Sequence, residues 1–224
     1  MGEDEPPVED LWLFGYGSLI WKPPPHYDLR VPGYIEGYVR RFWQVSEDHR
    51  GTPEAPGRVV TLIDRQLWET LTDQHAIAPP RVWGAAYRIP SLHVAEVTEY
   101  LNIREINGYS IQYTPFKRPD DITLTDQTVR AAPDDAGKTH PDEIPNCLVY
   151  IGLPDNPQFL GPQDPQALAE HIVKSRGPSG ENKDYLYQLE VALDELSKES
   201  HDDHIKDLAG RCRAVEAKLD QDGG

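Results

Sequence analysis

Cysteine is scarce. The 224 residues hold two, Cys147 and Cys212, far apart and without a C-x-x-C pair. A disulfide framework or a thiolate metal site needs clustered cysteines, so neither is expected, and the two read as reduced thiols of a cytoplasmic protein. Long apolar runs are missing as well. No stretch approaches the ~20 residues of a membrane-spanning helix, and the mean hydropathy is −0.62. The first ten residues carry five acids and no base, the reverse of a secretory leader's basic start, so export by that route is not expected. Bases are outnumbered by acids, 22 to 38, giving a net charge of −16. That charge opposes binding to nucleic acid or to an anionic membrane surface.

Proline (21), glycine (17) and tyrosine (11) are plentiful, against four phenylalanines. Such a mixture suits a turn-rich α+β domain better than a helical bundle, and the length suffices for one domain with a substantial core. The acid excess is confined to three segments. Residues 1–10 carry five acids, residues 119–145 seven against two bases, and residues 181–224 twelve against six, which accounts for the whole imbalance. These segments read as an acidic tail (1–10), part of a polar insertion (117–145) and a C-terminal region. Chemistry is therefore sought in the near-neutral, aromatic segments between them.

Leu11-Trp12-Leu13-Phe14 reads as a buried strand that runs into the loop Gly15-Tyr16-Gly17-Ser18-Leu19. Further strands are expected over residues 34–44, with Gly37 as a bulge or kink, and over 58–63, 81–89, 109–116 and 147–151. Helices are expected from Ser91 to about Arg104, from the Asp164-Pro165 cap to Lys174, and along the stripe Tyr185, Leu189, Leu193, Leu196, with weaker helical spacing through Leu219. Strands and helices interleave without a regular βαβ series, which points to a compact α+β domain or small mixed barrel over a doubly wound sheet.

The Gly-x-Gly loop after a strand can turn backbone N–H groups toward an anion, or it can be an ordinary turn. It lacks the third glycine of a dinucleotide fingerprint and the Gly-Lys-Ser/Thr of a P-loop, and its glycines do not flank Ser18 as in a nucleophile elbow. A Ser18–His49–Asp48 triad is disfavoured because adjacent residues of an extended chain point to opposite faces. His201-Asp202-Asp203-His204 has metal-ligand residue types without a third distant ligand, and reads as a solvated turn. Glu105 ends an apolar helix beside Ile103 and Ile106. There it can serve as a desolvated general base or as an ordinary helix-end acid paired with Arg104 or Arg88.

Taken in order, several segments closely resemble the ChaC-like, glutathione-specific γ-glutamylcyclotransferases. They are Phe-Gly-Tyr-Gly-Ser-Leu-Ile-Trp (14–21), the run 31–44, Asp-His-Arg-Gly-Thr-Pro (48–53), Pro-Gly-Arg-Val-Val-Thr-Leu (56–62), Tyr-Leu-Asn-Ile-Arg-Glu-Ile-Asn-Gly-Tyr (100–109), Val-Tyr-Ile-Gly (149–152) and Gly-Pro-Ser-Gly-Glu-Asn-Lys-Asp-Tyr-Leu (177–186). The resemblance implies a single-domain mixed β-barrel with packed helices over residues 11–197; the acidic tail, the 117–145 insertion and the region after 197, read as a C-terminal helical extension (198–224), depart from the family pattern. It implies cleavage of glutathione to 5-oxoproline and cysteinylglycine, with Glu105 as the catalytic residue. Tyr16, Gly17, Ser18 and Leu19 match the substrate-binding loop, and Arg58, Tyr109 and Tyr185 match positions near the pocket. The reaction needs no cofactor and no metal, because the γ-glutamyl group carries its own nucleophile. Glutathione is the expected partner; nucleic acid and membrane are not expected, and no protein partner is specified. Two other readings stay open: a non-catalytic module that binds γ-glutamyl compounds as a sensor, and an acidic interaction protein acting through 117–145 and 181–224.

Overall fold

A computed structural model describes residues 9–104, 109–119 and 142–222. Five strands close a barrel in the order β1 (Leu11–Gly15), β5 (Arg81–Ile89), β2 (Leu29–Glu36), β6 (Ser110–Lys117), β7 (Glu143–Ile151). The neighbours are antiparallel except at the closure, where β1 meets β7 in parallel at Leu13↔Leu148. The two-residue period of β1 sorts its side chains. Phe14 joins the main core with Phe116, Ile35 and Val149, while Leu13 faces outward to Tyr87, Leu148 and α2 (Val94–Arg104) through Val97 and Leu101.

Residues 34–44 are not one kinked strand. They divide at Gly37, whose φ of +85° turns the chain out of the barrel and into β3 (Tyr38–Ser46), which pairs with β4 (Gly57–Asp64) as a separate two-stranded sheet. The first half of β2 escaped the sequence reading because it contains Pro32. A proline is tolerated there because β2 pairs with β6 only at Tyr34 and Ile35. The short α1 (Arg65–Trp68) covers the outer face of the β3–β4 sheet with Trp68 against Val39, Trp43 and Ile63.

Three helices pack on the other side: α3 (Pro165–Lys174), α4 (Asn182–Leu196) and α5 (Asp203–Asp222). A two-residue hairpin, β8 (Arg176–Gly177) with β9 (Gly180–Glu181), links α3 to α4. Helix α5 enters the main core through Ile205, Leu208, Ala209, Cys212 and Val215. No helix among the described residues is long and apolar enough to cross a membrane.

The start of α5 corrects the sequence reading of residues 201–204. Asp202 and His204 are buried. Asp202 accepts hydrogen bonds from the N–H groups of His204 (3.1 Å) and Ile205 (3.3 Å), capping the helix. His204 Nε2 accepts the N–H of Phe42 at 3.1 Å. That N–H is available because the β3–β4 register shifts between Arg41 and Gln44, leaving Phe42 outside the ladder. Nε2 being the acceptor, Nδ1 must carry the proton that His204 shares with His75 Nδ1 (3.0 Å), and His75 Nε2–H then donates to Asp207 (2.8 Å). Arg40 pairs with Asp202, Arg41 with Asp73, and Arg211 with Asp207 around this chain.

His204 is held well below the usual imidazole pKa, first by burial and then by the charges of Arg41, His75 and Arg40. In the unfolded chain it takes up a proton near pH 6.5. The unfolded state therefore binds more protons below that pH, and the stability contributed by the neutral imidazole is present above ~6.5 and lost as pH falls. The midpoint of urea unfolding is accordingly expected to fall from pH 7 to pH 5, with a shallower slope in His204→Asn. Part of the slope will persist, because burial also lowers the pKa of His171.

Candidate active site

The glycine loop leaves the end of β1 and tightens into a 3-10 turn at Ser18–Ile20. Its peptide planes are fixed from behind. Tyr87 Oη donates to the carbonyl of Leu19 (2.6 Å), and Arg30 reaches Tyr87 Oη (3.3 Å). Tyr16 Oη donates to the carbonyl of Tyr150 (2.8 Å), tying the loop to β7. Gly17 makes room for a close approach: a Cβ there would lie 3.0 Å from both Tyr185 Oη and Val60 Cγ2, so either side chain would have to give way.

Two adjoining cavities meet at this loop. The inner recess is small, about 50 Å³, and is lined by Tyr16, Gly17, Ser18, Leu19, Tyr109 and Tyr185 among others. The outer cleft is about 480 Å³ and shares Ser18, Tyr109 and Tyr185 with the recess. It adds Lys22, His49, Arg50 and Tyr100 of α2. Tyr185 belongs to both linings. Its ring packs edge-on against Trp21 (5.4 Å) and Phe42 (5.7 Å), and the guanidinium of Arg50 lies 5.6 Å above it.

Six of the eight residues singled out by sequence are thus gathered around one pair of cavities: Tyr16, Gly17, Ser18, Leu19, Tyr109 and Tyr185. Glu105 lies outside the described residues, as do most of the 117–145 insertion and of the tail. Arg58 is described and stands apart from both linings. Its main chain is clamped by Asn182, whose Oδ1 accepts the Arg58 N–H and whose Nδ2 donates to the Arg58 carbonyl, both at 2.7 Å. Its guanidinium turns back to the carbonyls of Gly57 (2.9 Å) and Pro56 (3.3 Å) and to Gln163 (3.3 Å). The arginine that faces the cleft is Arg50, which sequence reasoning passed over.

The triad geometry is not formed. His49 Nδ1 lies 3.2 Å from Ser179 Oγ, and its Nε2 is 4.0 Å from Asp48, beyond hydrogen-bond reach. His26, His93 and Glu96 bring three ligand-type groups together at the surface. The two imidazoles stack 4.3 Å apart and almost parallel, at 8°, so their in-plane lone pairs do not converge on one ion. Both cysteines are free and buried. Burial pushes the Cys147 thiol up, and it raises Cys212 to about 12, which leaves neither suited to nucleophilic work.

A closed mixed barrel with packed helices and a glycine loop at the mouth of a recess is the architecture of the γ-glutamylcyclotransferase fold. A crystal structure of a selenomethionine-labelled, glutathione-specific γ-glutamylcyclotransferase from yeast has it too. It superposes with a TM-score of 0.77 at 34% identity, covering 92% of this chain and 96% of that one. The family model described as ChaC-like protein matches residues 11–215, and the chain belongs to that family. A relative from Schizosaccharomyces pombe, named glutathione-specific gamma-glutamylcyclotransferase, is 43% identical over 92% of this chain and 94% of its own length. One of the same name from Saccharomyces cerevisiae is 39% identical, covering 83% of this chain and 86% of the relative.

Proposed function

We propose that this chain is a glutathione-specific γ-glutamylcyclotransferase of the cytoplasm, converting glutathione to 5-oxoproline and cysteinylglycine. The observation that carries this reading is the similarity, at 43% and 39% identity over most of the chain, to proteins of that name. The two-part cavity at the Tyr16–Leu19 loop supports it. An inner recess of about 50 Å³ suits one end of the peptide, and the larger cleft has room for the rest.

The mechanism follows from folding the γ-glutamyl group on itself. The α-amine nitrogen attacks the γ-carbonyl carbon and closes a five-membered ring. The bond from that carbon to the cysteinyl nitrogen then breaks. No water is consumed, so the atoms of glutathione equal those of the two products. The step is unimolecular because amine and carbonyl belong to one molecule, and holding the amine against the carbonyl fixes the internal rotations that the free peptide would have to give up. Backbone N–H groups of the 16–19 loop would face the α-carboxylate or the developing oxyanion. Glu105 would take the proton from the ammonium and return it to the leaving nitrogen. It precedes Tyr109, which lines both cavities, by four residues, and four residues span at most about 14 Å.

The test is incubation with a panel of γ-glutamyl compounds and mass-spectrometric detection of 5-oxoproline. Release from glutathione supports the enzyme; binding of glutathione without release would make the chain a sensor. Because the loop acts through its backbone, Ser18→Ala is expected to lower turnover by no more than about ten-fold, the scale of one lost hydrogen bond. A loss as deep as that of a catalytic group would point to Ser18 as a nucleophile.

A further inference from the structure

Among the described residues, one arginine of the outer cleft has no ion-pair partner. Arg50 sits in the connection between β3 and β4 and is only 6% exposed. Of its five side-chain donors, one is used within the described residues: Nη1 donates to the carbonyl of Glu181 at 2.9 Å. The remaining support is the face of Tyr185. Asp184 adds a favourable field from a distance, but among the described residues no carboxylate is in ion-pair contact with Arg50. A guanidinium cannot shed its charge at neutral pH, and an unpaired buried charge is costly. Its fork geometry matches a carboxylate in two parallel hydrogen bonds.

Its placement says which carboxylate. Tyr185 lines both cavities, with its hydroxyl near Gly17 of the loop and its ring face under Arg50 of the cleft. With the γ-glutamyl group in the recess, the α-carboxylate is at the loop, and the cysteinylglycine portion runs outward past Tyr185. The anionic group on that portion is its C-terminal carboxylate. Lys22 also lines the cleft and adds positive potential, against the single carboxylate among its described residues, that of Asp48.

We propose that Arg50 is the receptor for the terminal carboxylate of the leaving dipeptide, so that the enzyme selects γ-glutamyl peptides whose departing amine carries a free carboxylate. This rests on the γ-glutamylcyclotransferase reading. The test compares glutathione with its C-terminal amide, which differs in that one charge. For the wild-type protein kcat/KM is expected to be about ten- to hundred-fold lower for the amide, the scale of a charge-assisted hydrogen bond, with most of the change in KM. In Arg50→Met the two substrates should become equal, through a loss confined to glutathione, and Arg50→Lys should restore part of the preference. Equal turnover of acid and amide by the wild-type protein overturns the proposal and leaves the enzyme reading intact, whether or not Arg50→Met folds. An unchanged acid-to-amide ratio in a folded Arg50→Met also overturns it. If neither peptide yields 5-oxoproline, the enzyme reading fails, and calorimetry with the two intact peptides decides the subsite. Tighter binding of the acid upholds it, and equal binding overturns it.

Discussion

Replacing Glu105 by glutamine is expected to lower 5-oxoproline release from glutathione by at least ~100-fold, the lower end of what a lost general base costs. The change keeps the side chain's length and its capacity for hydrogen bonds. It removes the one property that the reaction uses twice, the ability to accept a proton from the ammonium and return it to the leaving amine. The loss should fall on kcat, with KM for glutathione changed little, because the carboxylate's role is realised in the transition state. Assay by mass spectrometry, together with an unchanged urea midpoint, checks the expectation. Near-wild-type turnover in a folded Glu105→Gln would move the base elsewhere. Asp48, the carboxylate among the described residues of the outer cleft, would be the next to replace.

The largest effect on stability is expected at Asp202. Arg40 is 2% exposed, its Nη1 lies 3.3 Å from Asp202 Oδ2, and its Nη2 donates to the carbonyl of Trp83. Burial lowers the Arg40 pKa, and Asp202 is the main group that opposes this. Asp202→Ala strands the guanidinium without its counter-ion, a change that typically costs about 3–5 kcal/mol. It also removes the cap of α5, worth about 1 kcal/mol more. A fall in unfolding free energy of that size, read by urea titration at pH 7, is the expected outcome. Asp202→Asn keeps the cap and a hydrogen bond, so it should lose visibly less. Equal stability of Asp202→Ala and the wild type would mean that Arg40 finds solvation by another route.

Much of the barrel was legible locally. Short apolar runs, glycines and the Asp164-Pro165 cap announce their own elements, and β1, β5, α3 and α4 lie where periodicity puts them. The failures have separate causes. Arg50 and Arg58 flank the same turn and look alike in sequence. Arg58 is captured by Pro56 and Gly57 beside it, whereas Arg50 is set over the cleft by Tyr185 and the Glu181 carbonyl, more than 130 residues away. For residues 201–204 a signal was present and was overruled by charge density. His204 lies on the stripe continued by Ile205, Leu208 and Cys212, and Asp202 is in capping position just before it. Glu105 became legible only through the family resemblance, since a carboxylate at a helix end has many uses.

The bulge in β3 has a bearing on where this protein can be cut or joined. Its freed N–H belongs to Phe42, whose ring leans on Tyr185 at the cleft, and it is held by His204 from the last helix. A boundary drawn after the final recognisable motif, near Leu186, would leave every signature of the reaction in place. It would also discard the clamp that shapes the substrate wall. An expression fragment or fusion partner for this chain is therefore better placed beyond exposed Leu219 than at any point where the motifs stop.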